Sequence, residues 1–313
     1  MSKKLNYLVL SGILAASTVC IDNVIASSNN SGNNVVESEA MEIKKSTLFD
    51  EWLAEGELTQ EFSYQGKDYD FTLWSQRGQY DITDFLIDLG TERTEKFLQE
   101  VEEILRESLD DSTKRLQGPI TNYNIVLMNE QPAEGVSATL HGTNVICLNT
   151  QKWEERMSKD SQKAILYYSV AHEEFHLQNY SIKPGETKFT RELSAMLWEA
   201  ATILRRENNL NVLWNLIAQN KHITKSREID WNSDFYTKYD AGVTRGLAYM
   251  AASDIYRCHG VEGIEQTAKG ILFSLETGVE GVDKVLKQEG LKWEDQPITV
   301  EGTMKKYFNY VKK

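Results

Sequence analysis

The sequence predicts an α+β fold: a small antiparallel or mixed sheet, then a motif helix and a returning helix, then a mainly α-helical C-terminal part. Three observations predict it. Stretches before residue 150 alternate in polarity around turn residues, as half-buried strands do. Beyond Asn208 the apolar spacing is helical almost throughout. Between them, residues 172 to 176 read His172-Glu173-Glu174-Phe175-His176 in a helical stretch. Four residues on a helix is just over one turn, so both imidazoles lie on one face and can reach one metal ion.

The chain opens with Lys3 and Lys4, runs apolar from Leu5 to Cys20 and then turns polar, the pattern of a secretory signal peptide. Val24 and Ala26 are the small residues of a cleavage site, so cleavage is expected after Ala26. A lipoprotein modified at Cys20 is the alternative, disfavoured by the bulk of Val19; a retained anchor is disfavoured because the run falls short of the ~20 residues a bilayer requires. The expectation is an exported protein, secreted or in the periplasm or cell envelope, without stable membrane insertion. Removing residues 1–26 takes away Lys3, Lys4 and Asp22, a net +1, and moves the formal charge from -13 to -14. So acidic a chain lacks the basic field that nucleic acid or anionic lipid demands. Cys147 and Cys258 remain, and spacing leaves open whether they form a disulfide or stay as two buried thiols.

Residues 27–47 are rich in Ser, Asn, Gly and Glu without aromatics, and read as a disordered linker. Folded structure is expected from Leu48, where Phe49, Trp52 and Leu53 have helical spacing. Residues 48–90 read as an N-terminal elaboration built on a hairpin from Glu61 to Trp74, turning at Gln65-Gly66-Lys67, with Phe62, Tyr64, Tyr69, Phe71 and Leu73 at its apolar positions. A long amphipathic helix follows from Thr91 to Leu116, its stripe marked by Phe97, Val101, Ile104, Leu105 and Leu109. Strands are expected at Tyr123–Met128, Val136–Leu140 and Asn144–Asn149, the last two joined through His141-Gly142-Thr143. The motif helix starts after Asp160 or Ser161 as N-cap and runs to about Tyr180. Lys183-Pro184-Gly185 breaks the chain, and a returning helix begins near Thr187. Residues 91–207 thus form an αβ part and 208–313 a helical part, with breaks at 221–237, 258–263 and 288–297.

A catalytic zinc takes three protein ligands and keeps a fourth position for water, so the His pair needs one more donor. A donor level with His176 should sit about four to six residues into the returning helix, at 1.5 Å rise per residue. Glu192 falls there. Glu199, seven residues on and roughly 10 Å farther along the axis, suits the role of holding a histidine ring by its other nitrogen, or is an ordinary surface charge.

These residues resemble the gluzincin class of zinc metallopeptidases, in which H-E-x-x-H is followed by a glutamate ligand on the next helix. The likeness is to small peptidase MA-like domains, related to thermolysin and to the aminopeptidases that share its catalytic domain. Their ligand segment reads aromatic-x-x-Glu-x-x-Ala, and Phe189-Thr190-Arg191-Glu192-Leu193-Ser194-Ala195 matches it. The resemblance implies a thermolysin-like metallopeptidase domain over 91–313 holding one catalytic Zn²⁺. It also implies an edge strand before the motif helix, Ser137-Ala138-Thr139-Leu140, along which a substrate main chain pairs, so Ser137, Ala138 and Thr139 become substrate-binding candidates. Tyr239-Asp240-Ala241-Gly242 resembles the Tyr-x-x-Gly of the aminopeptidase relatives, whose tyrosine steadies the oxyanion. Two departures stand out: Glu174 directly follows Glu173, and the 15 residues between His176 and Glu192 are a short connection for the class.

The chemistry that follows is hydrolysis of a peptide or protein substrate. Zinc on His172, His176 and Glu192 acidifies water, Glu173 is the general base, and Tyr239 donates to the oxyanion. Tyr236, His222 and His259 compete for the last role. No motif for anchoring an amino terminus is found, which favours an endopeptidase. The alternatives are a zinc protein that does not cleave and a helical envelope binding protein in which the motif is accidental.

Overall fold

Alternation in the first hairpin puts Phe62, Tyr64, Phe71 and Leu73 on one face, and the helices pack on that face. A computed structural model describes residues 48–77, 82, 86, 89–128, 137–140, 143–149, 160–182, 187–220, 238–274, 276, 278–293 and 296–311. The leader and linker expected over 1–47 lie outside the described residues. A short helix α1 (Leu48–Ala54) precedes β1 (Leu58–Gln65) and β2 (Asp70–Gln76), an antiparallel pair with an irregularity between Gln60 and Phe62. Helix α2 (Thr91–Leu116) then crosses to β3 (Asn122–Met128), and β4 (Ser137–Leu140) and β5 (Val145–Asn149) follow. The motif helix is α3 (Asp160–Ile182) and the returning helix α4 (Lys188–Glu207). The rest is α5 (Asn211–Asn220), α6 (Lys238–Phe273), α7 (Gly278–Gln288), the two-residue strands β6 (Lys292–Trp293) and β7 (Gln296–Pro297), and α8 (Val300–Val311).

The chain is a mixed α+β protein whose main sheet is open, in the order β1-β2-β3-β5-β4. β2, β3 and β5 pair in parallel, and the flanking pairs β1·β2 and β4·β5 are antiparallel. The parallel step from β2 to β3 needs a crossover, which α2 supplies. The first hairpin therefore shares one sheet with the strands that precede the motif helix, and β4 is an edge strand among the described residues.

One face of the sheet carries Phe71, Leu73, Ile125, Leu127, Ile146 and Leu148 into a large core with the helices. The other carries Val126, Met128, Leu140, Val145 and Cys147 against α1, where Phe49 meets Trp74 edge-on at 6.0 Å. In α1 Phe49 and Trp52 are buried and Leu48 packs beside them, whereas Leu53, expected with them, is 42% exposed, because a helix of two turns presents its i, i+3 ridge to the sheet and Leu53 lies off it. Cys147 is buried and Cys258 exposed, and both are free thiols, so neither the disulfide nor the pair of buried thiols is found.

Helix α2 has the bounds its stripe predicts, following Gly90 (φ 76°) and ending where Gln117 turns left-handed (φ 55°). Its small Ser108 and Ser112 let neighbours come close: the Ser108 hydroxyl donates to the Tyr167 carbonyl of α3, and Trp198 of α4 donates its indole N–H to Ser112. Helix α4 is buried on every side from Lys188 to Leu204, held between α3 and α6. The break expected at 258–263 is a kink: Gly260 sits at φ 69°, ψ -169°, a conformation essentially restricted to glycine, and helix continues on both sides. An interruption near residues 274–276 separates α6 from α7, where no break was expected. The segment 221–237 lies outside the described residues, and no helix among the described residues is long and apolar enough to cross a membrane.

Candidate metal centre

Helices α3 and α4 pack side by side, which sets Glu192 of α4 beside both His172 and His176 of α3, and Glu199 beside His172. His172 and His176 share a face of α3, and their Nε2 atoms stand 3.0 Å apart. Glu192 of α4 closes the triangle, with Oε1 3.4 Å from His176 Nε2 and Oε2 3.7 Å from His172 Nε2. One ligand atom from each of the three residues lies within 4.8 Å of the others, and all three side chains are buried. A tetrahedral ion with 2.0–2.1 Å bonds spaces its donors roughly 3.3 Å apart, so 3.0 to 3.7 Å brackets what such an ion requires. The group can hold a metal ion.

The electrostatics point the same way. Burial alone would raise the Glu192 carboxyl, yet the two facing imidazoles hold it well below the usual carboxylate range. Burial would likewise lower His172, but Glu192 and Glu199 outweigh it and lift the imidazole to about 10. Two buried carboxylates thus draw positive charge onto this point, a demand that a proton or a metal cation can meet.

Glu199, two turns beyond Glu192, is not a surface charge. Its Oε2 lies 3.0 Å from His172 Nδ1, with the ring N–H aimed off-axis, and its Oε1 accepts a 2.6 Å hydrogen bond from the Tyr249 hydroxyl of α6. Burial acts to raise the Glu199 carboxyl, and His172 and Arg245 bring it below its ordinary value. It occupies the place expected of a residue that grips a histidine from behind.

Glu173 turns from the ligand face toward the sheet, where the Ser137 hydroxyl donates to its Oε1 at 2.9 Å. Its Oε2 is buried with no hydrogen-bond partner among the described residues. Burial raises its carboxyl, against the pull of His172, His176 and Ser137. Its neighbour Glu174 points the opposite way, accepting from Thr113 of α2 at 2.8 Å and Tyr123 of β3 at 2.9 Å. The second acidic residue of the motif therefore ties the back of α3 to the sheet and α2.

The expected substrate strand is β4. Ser137 and Thr139 pair with Leu148 and Ile146 and share their face, toward the helices, while Ala138 pairs with Cys147 on the α1 side. All three are buried. Ser137 reaches the site through its side chain, to Glu173, which the sequence reading did not foresee; Thr139 Oγ1 and His176 Nδ1 are buried without partners among the described residues. Tyr239 lies in the first turn of α6, with its side chain outside the described residues; Tyr236, His222 and His141 fall outside them entirely. His259 is exposed beside the Gly260 kink.

Tyr249 and Arg245 were missed. They stand one turn apart on α6, but nothing in sequence spacing links them to Glu199 across 50 residues. Comparison with protein-family models finds no match, and comparison with curated proteins finds none either.

Proposed function

We propose that this chain is an exported zinc metallopeptidase of the gluzincin kind, with a thermolysin-like catalytic core that cleaves peptide or protein substrates. The observation that carries the reading is the convergence of His172, His176 and Glu192 within 4.8 Å beside Glu173, whose Oε2 is unengaged among the described residues. The donor set of two imidazoles and one carboxylate suits zinc, which would be held by His172, His176 and Glu192. A zinc ion bound there supplies a Lewis acid that polarises a carbonyl and acidifies water.

The residues divide the remaining work. Ser137 steadies one oxygen of Glu173, and the other takes a proton from the attacking water as the new C–O bond forms. Glu173 then delivers that proton to the amide nitrogen as the C–N bond breaks, so the carboxylate is regenerated. An extended substrate pairs along the outer edge of β4, where main-chain hydrogen bonds hold it whatever its side chains. Tyr239 is the proposed oxyanion donor, on its sequence likeness alone. Export rests on the leader read in residues 1–26.

The test is Glu173→Gln against the native chain on a casein-like substrate, with metal content measured on both. The variant is expected to keep its zinc and lose hydrolysis. Equal cleavage by the two proteins would end the peptidase mechanism, and a native chain that binds zinc but cleaves nothing would leave a non-catalytic zinc protein.

A further inference from the structure

We propose that Tyr249 and Arg245, contributed by the C-terminal helical part, are positioning residues that lock Glu199 and thereby fix the ring orientation and tautomer of His172. This deepens the metal-centre reading and rests on it.

Arg245 and Tyr249 are four residues apart, so they share a face of α6, the helix packed most extensively on α4. Arg245 sets its positive charge against both the Tyr249 phenol and Glu199. A carboxylate only accepts, so the single proton of the Tyr249 phenol goes to Glu199 Oε1 at 2.6 Å. Burial and the facing Glu199 push the phenol far above its ordinary range, which keeps that proton in place. An ionised carboxylate only accepts, so Glu199 Oε2, 3.0 Å from His172 Nδ1, is the acceptor within reach of a proton on that nitrogen, although the ring N–H is aimed off-axis. Of the two neutral tautomers of His172, the form a metal requires, one satisfies the chain, with hydrogen on Nδ1 and the lone pair on Nε2, the atom that faces His176 and Glu192. Every member is buried, so water does not substitute for a missing link. Each bond in the relay is dictated by the one before it, and the relay begins outside the two helices that carry the ligands.

The experiment is a double-mutant cycle on Zn²⁺ affinity, read by competition with a chromophoric chelator, for native protein, Tyr249→Phe, Glu199→Ala and the double variant. Thermal melting of the metal-stripped proteins checks folding, and the visible spectrum with Co²⁺ in place of zinc reports ligand geometry. Tyr249→Phe is expected to bind Zn²⁺ about tenfold more weakly and Glu199→Ala between about 10-fold and 100-fold more weakly, the range for partners of metal-bound histidines. The double variant is expected to match Glu199→Ala within about twofold, because a hydroxyl that acts through Glu199 has nothing left to act on. The Co²⁺ bands of Tyr249→Phe are expected to shift while its metal-free melting does not follow. A Tyr249→Phe affinity within about twofold of native, or losses that multiply in the double variant as separate structural effects do, overturns the relay. Should Tyr249→Phe fail to fold, Arg245→Met interrupts the same chain; it is expected to bind Zn²⁺ several-fold more weakly, and unchanged affinity overturns the relay equally. A native chain that takes up no zinc defeats the metal centre itself, whereas native binding with an indifferent Tyr249 defeats only the relay.

Discussion

Replacing Glu174 by Gln isolates the energetic consequence of one buried carboxyl. Glu174 is fully buried on the back of α3, where Thr113 and Tyr123 both donate to its Oε1. Burial lifts its carboxyl from 4.5 to about 7, against the hydroxyls of Ser112, Thr113 and Tyr123 and the charge of Arg115, which pull it down. A carboxyl raised by folding holds its proton more tightly in the folded state than in the unfolded one. The folded state therefore loses stability as pH climbs from about 4.5 to about 7, and the loss is complete above that window. A rise from 4.5 to about 7, at about 1.36 kcal/mol per pH unit, comes to about 3 kcal/mol. Glutamine keeps the shape and the acceptor at Oε1 but does not titrate. It places an amide where Glu174 Oε2 has no partner among the described residues, at a pH-independent penalty of about 1–3 kcal/mol. Urea denaturation of metal-stripped native and Glu174→Gln protein from pH 4.5 to 8 measures the difference. Native protein is expected to lose about 3 kcal/mol more than the variant across that range. Parallel pH profiles would show that Glu174 is not a buried, reluctantly ionised carboxyl and would refute the reasoning.

Further outcomes follow from the same geometry. Ser137→Ala removes the hydroxyl that helps hold Glu173 ionised, so the acid limb of kcat/KM is expected to move to higher pH, with a loss of roughly threefold to tenfold at neutral pH, the scale of one hydrogen bond; a limb that moves down contradicts the assignment. Glu192→Ala is expected to abolish tight zinc binding, while Glu199→Ala retains a site about 10- to 100-fold weaker; the reverse order transfers the ligand role to Glu199. Gly246→Ala drives a methyl group into the buried Tyr307 ring and is expected to lower unfolding free energy by about 1–3 kcal/mol, so an unchanged denaturation midpoint would show that α6 and α8 do not meet there.

Local patterns carried much of this fold. Helix α2 was legible to the residue because Gly90 precedes an unbroken apolar stripe, and the first hairpin because Phe62, Tyr64, Phe71 and Leu73 alternate in step. Glu192 was legible because two helices joined by a short loop leave few places level with His176. Pairings distant in sequence were not. The parallel β2·β3 and β3·β5 pairings place strands side by side without a local signal, and the Tyr249 contact to Glu199 depends on how α6 lies across α4. The burial of α4 was legible only in part: the sequence predicts Glu192 at the metal but leaves Glu199 open as an ordinary surface charge, and both are buried because partners on α3 and α6 compensate them. The expected break near Gly263 is only a kink, since Gly260 absorbs the change of direction without ending the helix.

Metal content of the purified chain tests the central claim most directly. Protein stripped with chelator, resupplied with zinc and freed of excess is expected to carry one zinc per chain, with His172→Ala, His176→Ala and Glu192→Ala each losing it and Glu173→Gln keeping it. Native protein that stays far below one zinc per chain, or zinc that survives loss of His172 and His176 alike, contradicts a metal centre built from α3 and α4.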